Sequence, residues 1–247
     1  MVYMKRKILT ILLLVGVALT ACGQKRKVQN KPYIDLRPLH FGISVGLNLH
    51  DAWFENVGPQ LMDDGTTRTI ACDVDTWNPG FSIGVLGDMR LSDHFNFRIS
   101  PTMHFGSRRL RFIDYDTPNE AGLPEEATQD LKSAYIAVPL DLKFSAPRFN
   151  NYRPYVVAGF SPMINLAGKD QEYVQLKNFD AMVNVGMGCD LYLPFFKLIP
   201  EIKFCYGLTN VLDTNHYKDL TDVNKRIYSQ SVSGCNTSMF LFTLYFE

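Results

Sequence analysis

No charge of either sign predominates in this chain: 25 lysines and arginines stand against 25 aspartates and glutamates. That balance argues against a nucleic-acid partner, whose phosphates favour a basic excess. Long apolar runs are scarce as well. After residues 8–21 none approaches the ~20 residues a helix needs to cross a bilayer of about 30 Å, so a helical membrane protein is excluded. The run 8–21 is itself too short to span; with Lys5, Arg6 and Lys7 ahead of it, it reads as an export signal. Neither acidic stretch, Asp63-Asp64-Gly65 or Asp73-Val74-Asp75, has the spacing of a calcium loop, and both read as solvated.

What is present is apolar and aromatic side chain, 46% and 13% of the 247 residues, enough for one large β domain or two small ones. The signal has two readings at its end. Leu19-Thr20-Ala21-Cys22 has the order of a lipobox, which would leave a lipidated Cys22; Ala21-Cys22-Gly23 equally suits ordinary cleavage before Gln24. The predicted division is residues 1–23 as signal peptide, 24–38 as a polar periplasmic linker, solvated at least over 24–31, and 39–247 as a β-barrel.

Residues 39–50 (LHFGISVGLNLH) set the pattern. Leu39, Phe41, Ile43, Val45, Leu47 and Leu49 alternate with His40, Gly42, Ser44, Gly46, Asn48 and His50, giving one greasy and one small polar face. Seven more segments repeat it, at 81–91, 95–105, 134–144, 155–166, 181–193, 198–208 and 239–246. Their connections alternate long and short: long over 51–78, 107–133, 167–178 and 209–236, short between. A soluble sandwich has no reason to keep every long loop at one end, whereas an outer-membrane barrel does. The sequence thus predicts an all-β, eight-stranded antiparallel up-and-down transmembrane barrel with four long outer loops and both termini in the periplasm. Pairing 81–91 with 95–105 sets Met89 opposite Phe97 and Asp88 opposite Arg98, so a double charge swap should recover what each single reversal loses. Pairing 181–193 with 198–208 about Phe195-Phe196 sets Cys189 opposite Ile202 and Gly186 opposite Cys205. Faces agree in both hairpins.

Four motifs carry a family resemblance: Asp35-Leu36-Arg37-Pro38-Leu39-His40-Phe41-Gly42, Ile136-Ala137-Val138-Pro139-Leu140-Asp141-Leu142-Lys143-Phe144, Arg153-Pro154-Tyr155-Val156-Val157-Ala158-Gly159 and Leu191-Tyr192-Leu193-Pro194-Phe195-Phe196-Lys197. Over nearly the whole mature chain it resembles the PorT family of Bacteroidetes outer-membrane β-barrels, called SprT in gliding relatives and tied to type IX secretion. The resemblance implies a non-enzymatic accessory or assembly role in protein export, with outer-membrane lipid and other secretion-machine proteins as partners. It implies no cofactor and no small-molecule substrate. A stand-alone surface barrel, an adhesin or envelope-stability protein, is the competing reading, and a lipid-modifying enzyme a third.

By parity Asp88, Arg90, Arg98, Asp141, Lys143, Asp190, Glu201 and Lys203 face inward near the periplasmic end. They suggest a neutralised structural charge cluster, since buried charges persist only when paired, and an eight-stranded barrel is filled by its own side chains. An ion or proton path is the alternative. His104 and Ser107 are the types a lipid deacylase uses, but positions three apart in a strand face opposite ways unless Gly106 bulges. His40 and His50 lie at opposite ends of one strand, too far apart for one metal. Cys189 and Cys205 fall on different faces, while Cys72 and Cys235, in the first and last loops, could be bridged. Trp53 and Trp77 flank the first long loop, where an aromatic girdle would lie.

Overall fold

The computed structural model describes residues 28–61, 65–76, 78–118, 122–166, 173–218, 220 and 223–247. The signal peptide, Cys22, linker residues 24–27, Trp77 and the Asp63-Asp64 pair lie outside them. Within them run twelve strand segments, one short α-helix and two single-turn 3-10 helices (Ile34–Leu36 and His216–Lys218): β1 (Leu39–Asn56), β2 (Pro59–Leu61), β3 (Thr67–Thr76), β4 (Pro79–Arg90), β5 (Phe95–Ile99), β6 (Thr102–Pro118), β7 (Pro124–Ala137), β8 (Leu140–Ser145), β9 (Tyr152–Asn165), β10 (Phe179–Tyr192), β11 (Lys197–Gly207), α1 (Val223–Gln230) and β12 (Val232–Phe246). Every pairing is antiparallel, and β1 closes the ring on β12.

Twelve segments replace the eight strands expected. The ring has eight members, because three pairs of segments run end to end: β3 into β4, β5 into β6 and β7 into β8. Two of the breaks fall at Pro101 and Pro139, which have no N–H to give to a ladder. The breaks sit side by side, and neighbouring chains use the carbonyls: Val85 N donates to Pro101 O at 3.0 Å, and Ser100 N to Pro139 O at 3.2 Å. The twelfth segment, β2, is a short flap on β3.

Register at the first tight turn is as expected, Met89 opposite Phe97 and Asp88 opposite Arg98. At the other it is displaced by two residues: Met187, not Cys189, faces Ile202, and Asn184, not Gly186, faces Cys205. Pro194 and Phe195 occupy the centre of that turn, the fixed φ of proline suiting its corner, and an even displacement leaves the faces unchanged.

The first two predicted long loops are largely wall. On β1 the greasy set is odd-numbered up to Leu47, with Phe41, Ile43, Val45 and Leu47 exposed on the outside; beyond His50 it becomes even-numbered, Ala52 and Phe54 buried inside while Trp53 and Glu55 are exposed. β6 makes the same switch, from Met103 outward to Leu110 and Phe112 inward, with Arg109 outward. Alternation continues and only its polarity inverts, so each strand leaves lipid without ending. The projecting wall encloses a second core of Ala52, Phe54, Ile70, Leu110, Phe112 and their neighbours. The last two long connections fold into it: Leu176 bridges to Leu212, Val211 N reaches Cys235 O at 3.0 Å, and Tyr228 of α1 packs edge-on to Phe112. Burial raises the Tyr228 phenol above its ordinary pKa, with Glu125 and Asp114 adding to the effect.

The opposite end carries the short turns, and the segment ahead of β1 docks there. Over its described part, residues 28–38, the predicted solvated linker is pinned. Tyr192 donates its hydroxyl to Asp35 at 2.6 Å, and Arg148 pairs with Asp35 at 3.4 Å and donates to Lys31 O at 3.0 Å. Asn30 donates to Asn151 at 3.0 Å and to Tyr192 O at 2.9 Å, while the Arg148 guanidinium lies 3.5 Å from the Tyr192 ring centre.

Candidate functional site

The inward face of the wall at the turn end is charged. Asp88 on β4, Arg98 on β5, Asp141 and Lys143 on β8, Asp190 on β10, and Glu201 and Lys203 on β11 all point into the lumen and are buried. Small residues make the room: a Cβ on Gly159 would run into Asp141 Oδ1, and one on Gly188 into the Tyr155 hydroxyl. Arg90, expected in this group, is not in it. It is the last residue of β4 and is captured by Asp93 in the adjoining turn, half-exposed and below the level of the others.

The charges alternate along a continuous path. His40 Nδ1 meets Glu247 at 2.6 Å, Glu247 meets Lys197 at 2.8 Å, and Lys197 meets Asp190 at 3.6 Å. Asp190 holds Lys143 at 2.8 Å, and Lys143 lies 4.0 Å from Asp88. Arg98 bridges Asp88 at 3.4 Å to Glu201 at 2.6 Å. Lys203 links Glu201 at 3.0 Å to Asp141 at 2.6 Å. The spare lone pairs are used too: Glu201 accepts from Tyr155 at 2.6 Å and Tyr245 at 3.2 Å, Asp141 from Asn184 at 3.1 Å, and Asp88 from Asn96 at 2.5 Å. The Arg98 guanidinium is flanked by the rings of Tyr155 and Tyr245, 5.3 and 5.0 Å away. Sequence reasoning missed Lys197 and Glu247, although both continue the inward parity of their strands by one residue past the predicted ends.

In mid-lumen, Asn48 donates to Ser82 Oγ at 2.8 Å, and that hydroxyl lies 2.7 Å from His104 Nδ1. Ser107 points outward and is exposed, so His104 and Ser107 are not brought together and a deacylase pair fails on geometry. His40 and His50 face inward at different heights, His40 on Glu247 and His50 stacked on Tyr135 with ring centroids 4.9 Å apart. Cys72 and Cys235 are both free thiols within the loop-end core. Cys205 is buried, Cys189 only partly so. Trp53 stands on the outside just past the polarity switch, where a girdle residue would be, 80% exposed.

A closed antiparallel ring, greasy outside and charged inside, is a membrane barrel, and comparison with known proteins gives its kind. The family model described as "Outer membrane protein beta-barrel domain" matches residues 24–213. The chain belongs to this outer-membrane β-barrel family. Its place is therefore the outer membrane. Among solved structures it is similar to Neisserial surface protein A (11% identity over 85% of this chain and 98% of that one, TM-score 0.40). It is also similar to the N-terminal β-barrel domain of Pseudomonas aeruginosa OprF (14% identity, 82% and 96%, TM-score 0.29). A third is the attachment invasion locus protein Ail of Yersinia pestis, crystallised with the heparin analogue sucrose octasulfate (11% identity, 83% and 96%, TM-score 0.34). A comparison with the curated proteins finds no match. What the charge network can do chemically is hold the wall together, since each of its carboxylates faces a cation.

Proposed function

We propose that this barrel is a non-enzymatic, non-conducting component of a protein-export machine of the type IX kind, serving an accessory or assembly role through its turn end. In this reading the turn end, with the docked amino-terminal segment and the end of β12, faces the periplasm. Its partners are other secretion-machine proteins and the surrounding lipid, not nucleic acid or a small-molecule substrate. The observation that carries it is where the PorT-like motifs fall. Asp35, His40, Asp141, Lys143, Arg153, Tyr155, Tyr192 and Lys197 all come from those four motifs, and they meet at the turn end as the docked segment and the charge network. A lumen filled by paired charges below and apolar side chains above leaves no conduit for protein, so cargo must pass elsewhere.

The test is deletion in the native host, followed by return of the wild-type gene or of Asp35→Ala with Arg148→Ala, with secreted protease activity and barrel abundance measured together. Export lost on deletion, and lost again in the double variant at normal abundance, supports the reading. Unchanged export in the deletion strain refutes it. A second reading, a stand-alone adhesin or envelope-stability barrel, is favoured by the packed turret that lifts the wall beyond the lipid; it predicts normal export with altered surface attachment or envelope integrity.

A further inference from the structure

Two arginines rank among the largest fully buried side chains, Arg98 and Arg108. Arg98 has carboxylates on both sides. Arg108, on β6 above the network, has none within ion-pair distance among the described residues. Its hydrogen bonds run to three neutral oxygens: Asp51 O at 3.4 Å, Ser133 Oγ at 3.2 Å and Tyr135 OH at 3.0 Å. Its Nε has no acceptor. Beside it His50 is buried with both ring nitrogens unpartnered, stacked at 8° on the same Tyr135 whose hydroxyl takes the Arg108 hydrogen bond. Asp180, buried on β10, accepts from Thr209, Thr237 and the Ala181 N–H and makes no ion pair with Arg108.

A guanidinium cannot shed its proton to escape burial, and an unpaired buried charge is strongly unfavourable. A water molecule would satisfy the free N–H but would leave the charge standing. We propose that the mid-lumen holds a small monovalent inorganic anion, of halide size, between Arg108 Nε and the His50 ring. Arg108 supplies the charge and one donor, and neutral His50 supplies a second. On the inward face of β6, Gly106 stands between His104 and Arg108 and leaves the lumen open beside Asn48 and Gly80: a Cβ there would meet Asn48 Oδ1 at 3.6 Å and Gly80 Cα at 3.7 Å, ordinary contacts.

The test is urea unfolding of the purified barrel in micelles at constant ionic strength, with chloride or bromide replacing gluconate stepwise. Above the dissociation constant, each tenfold rise in halide should raise the folded-to-unfolded ratio about tenfold. Arg108→Met should abolish this dependence, and His50→Phe, which keeps the stack without the donor, should move its midpoint several-fold higher in halide. No dependence in the wild type, meaning water alone, overturns the proposal. So does an undiminished dependence in both variants, meaning an adventitious surface ion. Should Arg108→Met not fold, bromide-soaked crystals decide: an anomalous peak beside Arg108 is expected, and a featureless mid-lumen refutes the site.

Discussion

Replacing Arg98 by methionine keeps much of its volume and removes its charge. The network holds five carboxylates, of Asp88, Asp141, Asp190, Glu201 and Glu247, against four cations, of Arg98, Lys143, Lys197 and Lys203, with His40 at one end. Arg98→Met leaves five against three. Glu201 would keep Lys203 and two tyrosine hydroxyls, so the loss falls mainly on Asp88, whose remaining cation is Lys143 at 4.0 Å. Breaking a buried pair by removing one partner costs about 3–5 kcal/mol. At about 1.4 kcal/mol per factor of ten, the folded-to-unfolded ratio should fall by two orders of magnitude or more. Urea unfolding in micelles, read by the heat-modifiable gel shift, measures it. The control is Arg109→Met, which breaks a 2.9 Å pair with Asp130 on the exposed outer wall and should do far less. Equal losses in the two variants would refute the premise that the lumen is poorly screened. The double swap Asp88→Arg with Arg98→Asp, which pairwise reasoning expects to recover stability, should not recover it. It sets an aspartate where Arg98 met Glu201 at 2.6 Å and an arginine beside Lys143.

On the lipid face, Val85→Arg should cost about 2–4 kcal/mol by urea unfolding, as mid-bilayer cations do in barrels. Its neighbour Gly84→Ser should also destabilise, because a Cβ there lies 2.6 Å from Pro101 O; an unfolding midpoint equal to wild type would mean the Pro101 break moves freely. In the turret, Phe112→Ala should cost about 3–5 kcal/mol, since the ring is fully buried between Tyr173 and Tyr228; a loss near that of a surface change would mean the second core is loose. At the turn end, Asp35→Ala should speed chymotrypsin cleavage after the exposed Tyr33 and Leu36, and an unchanged rate would show that the Asn30 and Arg148 contacts suffice alone.

The ring was legible because lipid imposes one rule on every strand within it: greasy out, small or polar in. Parity alone therefore placed Ser44, Ser82, Asp141 and Lys203 inside, and turn length alone set Asp88 opposite Arg98. The rule lapses where the wall leaves lipid. Past His50 and Ser107 the greasy positions move to the other parity, so a reading that holds parity fixed sees disorder where β1, β3, β6 and β7 continue. The proline breaks were written in Ser100-Pro101 and Val138-Pro139, yet they interrupt hydrogen bonding without changing which face a residue shows. Alternation therefore passes straight through them.

The charge site was legible to the same depth and no further. Parity tells which side a residue faces, not the height at which it sits, and membership of a network depends on height. Arg90 has the right parity and lies too low; Arg108 has it too and lies too high, out of reach of the carboxylates that serve Arg98. Height follows from strand tilt and stagger summed around the closed ring, a quantity no single hairpin fixes. Arg98 and Glu201 are 103 residues apart in the chain and not on paired strands, yet they make one of the shortest contacts in the network. Such pairs set the order of charge along the lumen, and the absence of a carboxylate within ion-pair distance of Arg108 among the described residues is the consequence that overall charge balance conceals.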